Sequence, residues 1–340
     1  MSCVEGGMRN SRIVGVGRYL PERVVTNSDL TALMDTTDEW IQQRTGIRER
    51  RYSEGWTGAA DMGAAAAQQA LERAGLSAKD IGCVVFATLS PDIDMPASAC
   101  LLQDRMDMPG IPAFDVRNQC SGFLYGLAIA DAFVKSGTHE HVLLVGAEVH
   151  STGIDLTTRG REVAVIFGDG AGAVVLGPES DPQRGILGTR LHAQGRFAEK
   201  LWLESPASRS RPRLTEEMIS GPEARMFPQM EGRYVFRHAV TRFPEVIREV
   251  LDPLALSPTD LALLIPHQAN LRISQMVTMG LELPEEKVFN NIQRYGNTTA
   301  GSIPIALYEA LEEGRIHDGD LVCLAAFGAG FTWAAALLRW

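Results

Sequence analysis

LSAKDIGCVVFA, Leu76 to Ala87, returns 180 residues later as LSPTDLALLIPH, Leu256 to His267. In each a polar start runs into an apolar, strand-like stretch. The segments that follow also correspond. FDVRNQCSGFLYGLAIADAFVKSG carries Cys120 where a strand-like run ends and a helix of small and apolar residues begins, closing at Gly137. NNIQRYGNTTAGSIPIALYEALEEG carries Asn297 at the start of a second helix closing at Gly314, an offset of 177. A strand and a glycine-rich segment come next in both, FGDGAGAVVL from Phe167 and FGAGFTWAAALL from Phe327. The chain reads as an internal duplication, with an N-terminal half at 9–184 and a C-terminal half at 185–340. Paired helix starts are expected to meet about a pseudo-twofold axis, bringing Cys120 and Asn297 to one site.

The elements between these anchors alternate. Ile13–Gly17, Cys83–Thr88 and His141–Gly146 read as strands, and Asp61–Ala74 and Ala97–Met106 as helices. That order predicts mainly parallel sheet covered by helices. Residues 202–232 break the pattern with prolines, serines and arginines, the composition of a binding loop or lid. Met218, Met226 and Met230 within it read either as plain packing or as an adaptable apolar rim.

Composition narrows the function. With 340 residues, 45% hydrophobic and 22% charged, the chain has the profile of a soluble globular protein. A net charge of −10 argues against bulk affinity for nucleic acid or an anionic membrane. No apolar run approaches the roughly 20 residues that span a bilayer, and the polar start MSCVEGGMRNSR is no signal peptide. A cytoplasmic enzyme is expected, with residues 1–9 trailing in solvent and Met8 a possible alternative start. Five cysteines without C-x-x-C spacing and seven histidines without H-E-x-x-H indicate neither a disulfide framework nor a metal site.

A thiol at a helix start meets unpaired backbone N–H groups that favour negative charge, so Cys120 is expected to be drawn toward thiolate. His267, where the second apolar strand breaks into polar residues, and Asn297 complete a set that suits nucleophilic chemistry on an acyl group. The cysteine attacks, and the other two donate to an oxygen that gains charge. The same three residue types serve papain-like proteases, so types alone leave the reaction open. GDGAGA at Gly168–Ala173 leads at once into a strand, which favours a tight turn with close backbone packing over a phosphate loop.

Longer motifs carry a resemblance. TTDEWIQQRTGIRERR, the Cys120 stretch, FGDGAGAVV, PHQANLRI, YGNTTAGSIP and FGAGFTW stand in the order found in the β-ketoacyl-[acyl-carrier-protein] synthase III family. The chain resembles that family from about Arg12 to Trp340. The resemblance implies a thiolase-like five-layered αβαβα fold made of two duplicated halves, a homodimer, and no cofactor beyond the substrates acyl-CoA and malonyl-ACP. It implies that Cys120 accepts the acyl group, that His267 and Asn297 bind the malonyl thioester oxygen, and that the backbone N–H groups of Cys120 and Ala329 form an oxyanion hole. Trp40, Arg44, Arg159, Gly232, Arg233 and Asn270 are implied to bind CoA. Met95, His150 and Phe327 are implied to border the acyl pocket, with Met95 reaching the partner subunit's. Arg237 and Arg272 are expected to dock the acidic carrier protein.

Three features depart from the family pattern. His150 stands where an apolar residue is usual, and Met95 holds a position that helps set acyl length. The helix after Arg272, ISQMVTMG, lacks a lysine pair often used for docking. With the long 202–232 segment, these keep an alternative open: a specialised-metabolism acyltransferase or chain-joining enzyme with an unusual acyl substrate. A thiolase would need a second catalytic cysteine, and Cys323, inside an apolar run, is expected to be core.

Overall fold

In the strand Val142–Glu148, Val142 and Leu144 face one apolar core while Leu143, Val145 and Ala147 face another. A strand apolar on both faces needs cover on both sides. The strand Leu321–Gly328 repeats the arrangement, with Val322, Leu324 and Ala326 on one side and Cys323, Ala325 and Phe327 on the other. These two strands are the centres of two sheets. The computed structural model describes residues 10–223 and 225–340; the expected trailing residues 1–9, with Met8 and Cys3, lie outside them.

The first sheet runs in the order Asn10–Tyr19, Gly170–Glu179, Val142–Glu148, Cys83–Ala87, Ala113–Val116. The second runs Gly185–Ala193, Thr332–Arg339, Leu321–Gly328, Leu263–Pro266, the same order of equivalents. A fifth position survives there only as a single parallel bridge between Leu264 and Val288. The equivalent first strands even share a bulge, which breaks the register between Ile13 and Gly15 and again beside Ile186 and Gly188.

Helices Gly122–Lys135 and Ser302–Glu312 pack between the sheets in one shared core. Ala59–Ala74 and Ser98–Arg105 cover the outer face of the first sheet, and Gly232–Leu251 and Leu271–Gly280 that of the second. The result is the five-layered αβαβα fold. Gly172, from the GDGAGA motif, lies in the strand Gly170–Glu179, where an added Cβ would sit 2.7 Å from Pro304 at the start of the central helix. Close backbone packing is therefore the motif's role.

The repeat needs one correction. An offset of 177 sets Asn297 against Cys120, but the helix starts align at 180. The turn Gln119–Ser121 matches Thr299–Gly301, and each opens on a residue with positive φ, +45° at Gln119 and +46° at Thr299. Cys120 thus corresponds to Ala300. The helix ends keep the 177 spacing because the second helix has 11 residues and the first 14. Asn297 lies before the turn, in a parallel bridge with Phe167 of the other half. The helix starts do meet, with Ala300 Cβ 3.8 Å from the place a Cβ on Gly122 would take.

The irregular segment is closed at its base by pairing of Leu201–Trp202 with Gln229–Met230. Arg213 reaches Asp94 at 2.5 Å, tying it to the segment that carries Met95. No helix among the described residues is long and apolar enough to cross a membrane.

Candidate active site

The Cys120 stretch passes from strand Ala113–Val116 through the Gln119–Ser121 turn into helix Gly122–Lys135. The positive φ at Gln119, which non-glycine residues seldom adopt, marks a sharp reversal before the thiol. Cys120 then lies against the glycine-rich end of Leu321–Gly328. A Cβ on Gly328 would fall 2.4 Å from Cys120 Cβ and 2.8 Å from its sulfur, so the close approach requires glycine. The backbone N–H groups of Ala329 and Cys120 act to lower the pKa of that thiol.

The expected drift toward thiolate is not what the surroundings produce. Burial pushes the Cys120 thiol up to about 12, and the Glu148 carboxylate adds to the rise, while the two N–H groups oppose it only in part. Glu148 ends its strand fully buried, accepting hydrogen bonds from Ser90 Oγ at 2.6 Å, Thr88 Oγ1 at 3.1 Å and the N–H of Ser90 at 3.1 Å. Its own carboxyl is pushed up to about 7, chiefly by burial. The resting thiol keeps its proton. Cys323 is buried on the face turned to the outer helices, in keeping with a core role.

His267 follows the strand Leu263–Pro266, its N–H donating to the Ala325 carbonyl at 2.8 Å. Its Nδ1 lies 2.6 Å from Ser302 Oγ, and its Nε2 is buried without a hydrogen-bond partner among the described residues. Burial pushes the imidazole down to about 3, with the nearby His150 ring adding to the fall. A ring that resists protonation is a poor base, yet it donates well. Where the Ser302 hydroxyl gives its proton to Nδ1, the ring proton sits on Nε2.

Asn297 is fastened to the other half, its N–H donating to the Ile166 carbonyl at 2.9 Å and its carbonyl accepting from Gly168 N–H at 3.1 Å. Its side chain lines, with Cys120, a cavity of about 1140 Å³. Trp40, Arg44, Gly232, Arg233, Arg237, Asn270, Arg272 and Phe327 line the same cavity. Sequence reasoning had grouped these across some 290 residues of chain by motif alone.

Five expected members are not in that wall: His267, Ala329, Arg159, His150 and Met95. Arg159 is held by Asp155 at 2.6 Å and by the Gly221 carbonyl at 3.1 Å, which turns its guanidinium toward the irregular segment. Arg161 lies 5.2 Å over the Trp40 ring, whose other cation is Arg44 at 4.4 Å. His150 does not line the cavity; its ring lies tilted at 30° with its centroid 4.4 Å from that of Phe167, and its Nε2 lies 2.8 Å from Thr299 Oγ1. A buried imidazole needs a partner, and a protein group supplies it. Met95 is 84% exposed and outside this chain's cavity wall. Of the three methionines in the irregular segment, Met230 reaches the cavity.

Comparison with known proteins decides the family. The β-ketoacyl-[acyl-carrier-protein] synthase III of Geobacillus kaustophilus is 45% identical over 328 residues, covering 96% of this chain and 98% of that protein. The chain belongs to the β-ketoacyl-[acyl-carrier-protein] synthase III family. Models of 3-oxoacyl-[acyl-carrier-protein (ACP)] synthase III match residues 114–195 and, for its C-terminal part, 251–340. The crystal structure of 3-oxoacyl-[acyl-carrier-protein] synthase III from Aquifex aeolicus is similar with a TM-score of 0.88 and 44% identity, covering 97% of this chain and 100% of that one. The priming β-ketosynthase from the R1128 polyketide biosynthetic pathway is similar with a TM-score of 0.89 and 34% identity, covering 99% and 98%. As a synthase III, the chain is a condensing acyltransferase of the kind that serves fatty-acid biosynthesis.

Sequence reasoning passed over Ser302 and Arg161. Ser302 stands within YGNTTAGSIP, but only the fold folds it back onto His267, 35 residues away. Arg161, two residues beyond Arg159, lies over the Trp40 ring.

Proposed function

We propose that Cys120 takes an acyl group from acyl-CoA and that His267 and Asn297 bind a malonyl thioester that condenses with it. In the first half-reaction the Cys120 sulfur bonds to the acyl carbon, the acyl–CoA bond breaks, and the thiol proton leaves on the CoA sulfur. In the second, the malonyl carboxylate departs as carbon dioxide and its bonding pair forms an enolate. The enolate carbon attacks the acyl carbonyl, releasing Cys120, whose sulfur takes up a proton. In this reading the N–H groups of Cys120 and Ala329 receive the negative oxygen at the acyl carbon. A neutral His267 with a free Nε2 suits the enolate oxygen better than it suits the removal of a proton.

The observation that carries this reading is the pair Cys120 and Asn297 in the wall of one cavity whose remaining cover includes an aromatic ring and four arginines. Trp40 offers a flat face to a purine, and Arg44, Arg233, Arg237 and Arg272 offer charge to phosphates and to an acidic carrier protein. On a chain of net charge −10 this is a local exception. Reversing one charge with Arg272→Glu should weaken acyl-CoA or carrier-protein binding roughly tenfold at low salt, with the deficit shrinking as salt rises. Binding equal to that of the wild type at every salt concentration removes this surface from the docking site.

A homodimer accords with the free edge of the first sheet. Ala113–Val116 ends that sheet half-buried along its whole length, and an unpaired edge is a template for another strand. Asp115 also accepts the N–H groups of Ser98 and Ala99 at 2.9 and 2.8 Å, holding exposed Ile93 and Met95 near that edge. In this reading the exposed Met95 reaches a partner's acyl pocket rather than its own.

Intact-protein mass spectrometry after incubation with acetyl-, octanoyl- and carboxyacyl-CoA tests the first half-reaction. One acyl mass should add, on the peptide that contains Cys120, and the acyl group loaded fastest names the primer. Acetyl preference assigns housekeeping initiation; preference for a longer or charged group assigns the specialised role. No adduct with any of them overturns the reading.

A further inference from the structure

An amide side chain has nearly the same shape either way round, but only its NH2 end donates to a thioester oxygen. In Asn297 the choice is made by Thr299. The Thr299 backbone N–H lies 2.8 Å from Asn297 Oδ1, and because a backbone N–H can only donate, the oxygen must occupy that side and the NH2 the other. The Thr299 hydroxyl sits 3.4 Å from the same oxygen. Thr299 reaches this position with φ of +46°, a backbone conformation unfavourable for a β-branched residue. Its hydroxyl is 2.8 Å from His150 Nε2. His150 is itself clamped, with its N–H on Asp169 Oδ1 at 2.7 Å and its ring against Phe167, which lines the cavity.

We propose that His150 and Thr299 are positioning residues for Asn297: His150 holds the Thr299 hydroxyl, Thr299 stays in its left-handed turn, and the Asn297 nitrogen stays turned to the cavity. The inference rests on the reading that Asn297 donates to the malonyl thioester oxygen. It explains why a polar residue occupies a site where the family resemblance leads one to expect an apolar one. Buried as it is, the His150 imidazole is neutral, its pKa pushed down to about 4 chiefly by burial, so one ring nitrogen carries a proton to give. With that proton on Nε2, every donor in the row points the same way: His150 to Thr299 Oγ1, and Thr299 to Asn297 Oδ1.

His150→Leu and Thr299→Val, the latter keeping shape and backbone N–H, should each lower the condensation kcat about tenfold, the scale of one lost hydrogen bond. Acyl loading of Cys120, followed by mass, should stay within about twofold in both, which also reports that the fold is intact. The double variant should be no slower than the slower single, since both remove one linkage. Thr299→Ser, which restores the hydroxyl, should recover most of the rate. Equal losses in loading and condensation, a Thr299→Ser as slow as Thr299→Val, or wild-type condensation by His150→Leu overturns the inference. Asn297→Ala measured alongside separates the levels. Fast condensation there overturns the role of Asn297 itself, whereas slow Asn297→Ala with normal His150→Leu overturns only the positioning.

Discussion

Cys120→Ser should carry no acyl group after incubation with any acyl-CoA, to the limit of detection by intact mass and peptide mapping. Serine at this position has nothing to activate it. A hydroxyl is a weaker nucleophile than a thiol and holds its proton more tightly, and the two buried imidazoles are poor proton acceptors. His267 is pushed down to about 3 and His150 to about 4 by burial, so neither imidazole readily becomes imidazolium. The wild-type thiol is itself pushed up to about 12, yet in the same surroundings a thiol still gives up its proton far more readily than a hydroxyl does. An adduct that maps instead to Cys83, Cys100 or Cys323 overturns the assignment. Both Cys83 and Cys323 are fully buried, with burial pushing their thiols up to about 11 and about 12.

His267→Ala and Asn297→Ala should each slow condensation by about 10² to 10³, the cost of removing one donor from a charge-stabilising pair, while loading of Cys120 falls far less. The split follows from geometry and charge state. His267 is held at Nδ1 by Ser302 and is bare at Nε2, an arrangement suited to giving a hydrogen bond to an oxygen that turns negative. Stopped-flow or quenched assays of the two half-reactions with separate substrates check it. Equal losses in loading and condensation would mean that His267 acts mainly as the base for Cys120.

How much of this was legible in the sequence depends on distance along the chain. The duplication was visible because each half spends the same residues on the same elements, and the structure returns the same strand order and even the same bulge after Ile13 and Ile186. The register of the repeat at the site was not. A helix shortened by three residues keeps its closing glycine in view, and Gly137 and Gly314 therefore gave 177 where the helix starts differ by 180. The motif residues that line the cavity were legible as a group. The charge state of Cys120 was not, because a helix start is local and visible, whereas burial and the Glu148 carboxylate come from segments that only the fold brings near. His150 shows the same limit: sequence placed it beside an acyl group, and its actual partner, Thr299, lies 149 residues away.

The bare Nε2 of His267 has a consequence for the chain as a whole. A polar atom shut off from both water and protein costs about 1 to 3 kcal/mol, and the described residues leave it so. A thioester oxygen that accepts from Nε2 satisfies it. Ligand and fold are linked through that one atom: a small thioester that reaches Nε2 raises resistance to heat by more than its contact area accounts for, and an analogue of the same size without the oxygen does not.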